Sequence, residues 1–169
     1  LLSEAEDGSS AADAAAAATE FWREASLMSQ SAAHPHLVRL LGVCADPSGH
    51  RLPWMVLEYL AGGSLEDWLL RRDAPPGSVA RASILRGIAL GMACLHGLEP
   101  PILHHDLKSD NVLLVKAANG TLEPKIADFG LSNVFDNTNL LSTFCGSPLY
   151  ASPEIVRGCP YRGPEVDCW

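Results

Sequence analysis

An α+β fold is predicted for this chain of 169 residues, on three observations. Apolar residues recur at helical spacing over residues 20–31 and again over 80–98. Residues 37–44 and 54–59 read as β-like runs. Two further short strands, 112–115 and 125–127, are joined through Asn119-Gly120, a tight-turn signal.

Taken in order, residues 3–19 form a low-complexity insert rich in Ala, Ser and acids. Ala favours helix and would extend the helix that follows, whereas Gly8-Ser9-Ser10 argues for a flexible start. In the helix over 20–31, Phe21, Leu27 and Met28 mark the apolar side and Glu24 lies between them. The β-like run 37–44 gives way to a polar turn, ADPSGHRLP, and then to the apolar strand 54–59. Ser64-Leu65-Glu66-Asp67 has the form of a capping box, which opens a short helix running to about Arg72. A loop over 73–78 contains Pro75-Pro76-Gly77. Residues 80–98 carry Ile84, Leu85, Ile88, Met92 and Leu95 on one face with few charges, which reads as a well-buried helix. No internal repeats appear.

A hydrophobic fraction of 47% without a charge-free apolar run of membrane-spanning length points to a soluble globular protein, and no membrane span is expected in this segment. The net charge of −8 gives no basic footprint for nucleic acid and disfavours anionic membrane surfaces. Five cysteines, with no C-x-x-C pair, suggest neither a zinc site nor a disulfide framework. They read as reduced thiols, so a cytoplasmic location is expected.

The chemistry is concentrated in HHDLKSDNVLL, residues 104–114, followed after one hairpin by Asp128-Phe129-Gly130. Phosphoryl transfer needs a carboxylate to take the proton of the attacking hydroxyl, and oxygens to hold Mg²⁺. Asp106 suits the base, Lys108 can neutralise charge on the moving phosphoryl group, and Asn111 and Asp128 offer oxygens to the metal. A triplet such as D-F-G occurs by chance, so order and spacing carry the argument. Glu24, His34-Pro35, the run 55–65, Gly146-Ser147-Pro148, Ser152-Pro153-Glu154, and Asp167 with Trp169 follow in register. The chain resembles eukaryotic protein kinases, whose catalytic loop reads H-R-D-L-x-x-x-N, and the match is complete except that His105 replaces the arginine. Lys108 in D-L-K-S-D-N is of the serine/threonine type, while HPHLVRLLGVC is similar to the tyrosine-kinase-like group.

The resemblance implies a two-lobed kinase fold, ATP and Mg²⁺ as cofactors, and protein substrates. It also implies that the chain covers part of such a domain, which usually runs to roughly 250 residues. Residues 1–60 would be the remainder of the small lobe and the hinge, including the insert, and 61–169 the first part of the large lobe. By the same resemblance Glu24 pairs with a strand lysine that holds the ATP phosphates. Backbone groups of Glu58 and Leu60 bond adenine, Leu57 is the gatekeeper, and Leu113 packs under the ring. Met28, Leu40, His104 and Phe129 match the stacked apolar spine that joins the lobes. Ser64 is a cap before it is a ribose contact. Residues 128–154 resemble an activation loop with Thr143 in the phosphoacceptor register, and the arginine that His105 replaces is the one that pairs with such a phosphate. The alternative from another class is a pseudokinase, a nucleotide-binding or scaffolding module without chemistry. Against it, Asp106, Lys108, Asn111 and Asp128 are all present.

Overall fold

A computed structural model describes residues 11–31, 34–45, 53–71, 77–117, 120–135, 140–141 and 146–169. Helix α1, Ala11–Gln30, leads into strands β1, Leu40–Cys44, and β2, Trp54–Leu57. The insert does extend the helix, since α1 begins within the Ala-rich run. Strands β1 and β2 pair antiparallel, with Leu40 opposite Leu57 and Cys44 opposite Trp54.

Helix α2, Leu65–Leu70, is opened by the expected capping box: Ser64 accepts from the Asp67 amide and Asp67 accepts from the Ser64 amide. Satisfying two orphan donors at once fixes where so short a helix starts. Helix α3, Ser78–His96, has 19 residues and a mean hydropathy of 1.4, long and apolar enough by composition alone to cross a membrane. Its buried residues, Ile84, Gly87, Gly91, Met92 and Leu95, form a narrower face than the sequence suggested. Leu85, expected on that face, is exposed. A Cβ on Gly87 or Gly91 would collide with Pro124 or Ile126 and with His36, so the helix backbone itself lies against the strand below, while Leu85 lines an open cleft with Leu65, Leu69 and Ile88.

That strand is β5, Leu122–Ile126, paired antiparallel with β4, Val112–Lys116, as the hairpin signal indicates. Asn119 of the predicted turn lies outside the described residues, and Gly120 takes φ +82°. A third two-stranded sheet, which the sequence does not predict, pairs β3, Ile102–Leu103, with β6, Asn133–Val134. A 3₁₀ turn at Ser109–Asn111, helix α4, Pro153–Val156, and a 3₁₀ turn at Pro164–Cys168 complete the order.

The main core gathers Leu27 and Met28 of α1, Leu37 and Val38, Met92 and Leu95 of α3, Ile102, Ile126 and Phe129. Each such side chain contributes about 1.5–3 kcal/mol on burial. A second cluster, Leu103, Phe135, Ile155, Tyr161 and Val166, lies under the end of the chain. The loops 104–111 and 127–132 run between the two clusters, which is how apolar packing positions the polar residues they carry.

Candidate active site

Residues 104–111 are held from below by one carboxylate. Asp167 Oδ2 accepts from the His104 amide and Oδ1 from the His105 amide, both at 2.8 Å, and His96 Nε2 lies 2.9 Å from Oδ2. Burial alone would raise the pKa of Asp167, but His96 and the two amides hold it below the usual carboxylate value. The anchor lets His105 keep φ +66°, a left-handed conformation uncommon for a residue with a Cβ. Gly146 packs on this turn at φ +90°, and a side chain there would strike the His105 carbonyl oxygen.

Three side chains converge on Asp106. Lys108 Nζ lies 2.7 Å from Oδ2, and Asn111 Nδ2 donates to the same oxygen and to the Asp106 carbonyl oxygen, each at 2.9 Å. Oδ1 accepts from the Ser147 amide and hydroxyl, both at 2.9 Å, and Lys108 also reaches the Ser147 hydroxyl at 2.9 Å. Burial pushes the Asp106 pKa up, yet the bonds from Lys108, Ser147 and Asn111 outweigh it and leave the value lowered. Lys108 is shifted up by the same contact. Asp106 is therefore an ionised carboxylate at neutral pH with its proton-accepting oxygens oriented. A cleft of about 500 Å³ beside it is lined by Lys108, Asn111, Ser147, Leu149 and Tyr150, wide enough for a peptide side chain.

Asn111 and Asp128 are stitched together through the backbone, since the amide of Ala127 donates to the Asn111 carbonyl oxygen at 2.8 Å. Asn111 Nδ2 makes both of its hydrogen bonds to Asp106, which leaves the side-chain oxygen as the atom that could hold a metal. Asp128 sits at φ +64° with Oδ1 3.3 Å from the Gly130 amide. One carboxylate and one amide oxygen fit Mg²⁺, which binds through one or two protein oxygens and completes its shell with phosphate and water. When bound, the ion would supply positive charge to neutralise that of the phosphate groups.

Glu24 faces this loop. Its pKa is raised by burial and then by the Asp128 carboxylate, while Arg23 and the Phe129 amide oppose the rise. Next to it the expected spine is continuous in the core: Met28 and Phe129 are fully buried, Leu40 packs against them, and the His104 ring stands 5.5 Å from that of Phe129. Burial depresses the pKa of His104. The neutral ring suits its contacts, with Nε2 facing the Ala127 carbonyl oxygen at 3.0 Å and Nδ1 accepting from the Asp106 amide at 3.3 Å.

At the predicted hinge, the Glu58 amide donates to the Arg39 carbonyl oxygen at 3.0 Å, which leaves its own carbonyl as the backbone group that could meet an adenine. Its side chain forms an ion pair with Lys125 at 2.7 Å and accepts from the Arg39 amide at 2.8 Å. Leu60 and Leu113 pack against the main core as an adenine floor and edge would. Leu57 is 41% exposed. Thr143 lies outside the described residues.

Two participants escaped the residue-by-residue reading. Ser147 stands in the sequence only as part of a motif, and its two hydrogen bonds to Asp106 are tertiary contacts across 41 residues. Asp167 was likewise a family mark without a role, and its partners are 62 and 63 residues away.

A family model described as "Protein kinase domain" matches residues 7–169. The chain is 44% identical over 147 residues to "NUAK family SNF1-like kinase 2" of Homo sapiens and to that of Rattus norvegicus. It is 42% identical over 147 residues to "NUAK family SNF1-like kinase 1" of Mus musculus. These alignments take in 87% of this chain and 21–22% of each relative, so the chain spans about a fifth of their length. With the loops that carry Asp106, Asn111 and Asp128 joined in one arrangement and the family match covering residues 7–169, the chain belongs to the protein kinase domain family.

Proposed function

We propose that the complete protein is a serine/threonine kinase that transfers the γ-phosphoryl group of Mg-ATP to protein substrates. Asp106 takes the proton of the attacking hydroxyl. Lys108, bonded to Asp106 and Ser147 together, balances the charge of the moving phosphoryl group. Asn111 and Asp128 hold the metal, Glu24 orients the phosphate-binding side of the small lobe, and Glu58, Leu60 and Leu113 seat adenine. The observation that carries the reading is the Asp106 carboxylate, ionised and oriented by three side chains that themselves line an open cleft. The pseudokinase alternative gains nothing from this geometry. Specificity for Ser and Thr is supported by Lys108 and by the printed names of the relatives. Membership of the tyrosine-kinase-like group rests on HPHLVRLLGVC alone, and the relatives carry a different group name.

Asp106→Asn in the complete protein tests the assignment. The change removes the base and leaves both metal-facing side chains, so phosphotransfer to a Ser/Thr peptide should fall by about 100-fold or more. Mg-ATP affinity should stay within about threefold. Unchanged turnover with radiolabelled ATP would refute the role of Asp106.

A further inference from the structure

Three consecutive carbonyl groups just after the metal-binding aspartate are each gripped by a side chain. Arg23 Nη2 donates to the Gly130 oxygen at 2.7 Å and Nη1 to the Ser132 oxygen at 2.9 Å. His105 Nδ1 faces the Leu131 oxygen between them at 3.2 Å. Arg23 comes from α1, more than one hundred residues earlier in the chain, and is half-buried. Its planar fork spans two carbonyls in a way that an ammonium cannot.

The grip bears directly on Asp128. Gly130 has its carbonyl oxygen on Arg23 and its amide, in the preceding peptide unit, on Asp128 Oδ1, so the two bonds meet at a single Cα and hold both of its peptide planes. Ser132 fixes the far end: it is fully buried, its amide donates to the Phe129 oxygen at 3.0 Å and its hydroxyl to the His104 oxygen at 3.3 Å. Asp128 itself is left-handed, a conformation that persists only where its surroundings enforce it.

We propose that Arg23 is a positioning residue for the metal-binding carboxylate: through the carbonyls of Gly130 and Ser132 it fixes the orientation of Asp128. This inference rests on the kinase reading for its functional consequence and on geometry alone for its structural one. Arg23 touches neither nucleotide nor phosphate in this account and acts only through the loop backbone.

The test compares the complete protein with Arg23→Ala, Arg23→Lys and, as a surface control on the same helix, Glu20→Ala. Arg23→Ala should raise the Mg²⁺ concentration for half-maximal turnover about tenfold at saturating ATP, the effect of losing charge-assisted bonds, while kcat at saturating Mg²⁺ falls less than about threefold. Arg23→Lys, which keeps the charge and loses the fork, should fall between, and Glu20→Ala should match the unsubstituted protein. Amide hydrogen exchange of residues 129–134 should be about tenfold faster in Arg23→Ala. A merely structural role would lower thermal stability without moving the Mg²⁺ response. An unchanged Mg²⁺ response with active protein, or unchanged exchange whether or not the protein is active, overturns the proposal. Complete absence of phosphotransfer by the unsubstituted protein would instead refute the kinase reading and leave the exchange measurement to decide Arg23.

Discussion

His105 meets Tyr161 inside the protein, with the tyrosine hydroxyl 3.1 Å from Nε2 and the rings 5.9 Å apart and nearly perpendicular. With Nδ1 facing the Leu131 carbonyl oxygen, a neutral imidazole carrying its hydrogen on Nδ1 satisfies both contacts: it donates to Leu131 and accepts from Tyr161. Both residues are buried, at 6% and 4% exposure, so neither ring nitrogen is left for solvent. The residue that departs from the family pattern is thus built into the second core cluster.

Removing the hydroxyl should therefore be felt in stability. Tyr161→Phe keeps the ring packing and leaves a buried acceptor without this donor, a loss of about 1–2 kcal/mol. Thermal unfolding of the complete protein should show a lower Tm for this domain. A Tm equal to that of the unsubstituted protein would mean that the contact contributes nothing.

Ser152 presents the opposite case. It occupies the alanine position of A-P-E, is 1% exposed, and its hydroxyl has no hydrogen-bond partner among the described residues. A buried hydroxyl without a partner is a desolvation cost with no return. Ser152→Ala should raise stability by about 1 kcal/mol in urea unfolding, since it restores a purely apolar contact at almost the same volume. Destabilisation by a similar amount would show that Ser152 has a partner that these contacts do not reveal.

How much of this could be read from the sequence follows from the range of the interactions. The capping box at Ser64 and Asp67 is local, and a pattern of four residues states it in full; the hairpin of β4 and β5 is local too, but its second strand is Leu122–Ile126 rather than the expected 125–127. The pair β3 and β6 is invisible because two residues per strand, Ile102–Leu103 and Asn133–Val134, cannot establish a period of two. How closely α3 approaches β5 is a property of Gly87 and Gly91 against Pro124 and Ile126. At the site, Asp106, Lys108 and Asn111 lie within six residues and were legible together. Ser147 and Asp167 join them only through the fold, as does the grip of Arg23 on Gly130 and Ser132.

Asp167 makes the catalytic loop sensitive to acid in a defined direction. Its folded-state pKa is depressed, so its contribution is complete above the unfolded value of about 3.9 and is lost as pH falls through the lower folded value. Asp167→Asn lacks the charge that holds His96 and the two amides, and should cost about 1.5–3 kcal/mol at pH 7. The gap between the two proteins should narrow as the pH is lowered past 4, because only the unsubstituted protein loses this carboxylate. Urea unfolding at pH 7 and pH 3 measures both quantities. A gap of constant size would show that the ionisation of Asp167 is unimportant and that only its shape matters.

The last prediction joins His105 to Thr143. In kinases controlled by phosphorylation, the arginine that His105 replaces pairs with the phosphate on the activation loop. Here that position holds a shorter imidazole, buried against Tyr161 with both nitrogens engaged, so it offers a phosphate no fork of charged donors. Phosphate on Thr143 should consequently order the loop less than one to three charge-assisted bonds would. In the complete protein, Thr143→Ala should lower turnover by about tenfold or less. His105→Arg should increase that dependence, because guanidinium is longer and permanently charged, although forcing it into the space between Leu131 and Tyr161 will cost some stability. Steady-state kinetics at pH 7.5 on the four proteins, with and without each substitution, separate the two effects. If Thr143→Ala abolishes turnover while His105 is in place, another cation holds the phosphate, and the buried imidazole does not set the strength of phosphate control.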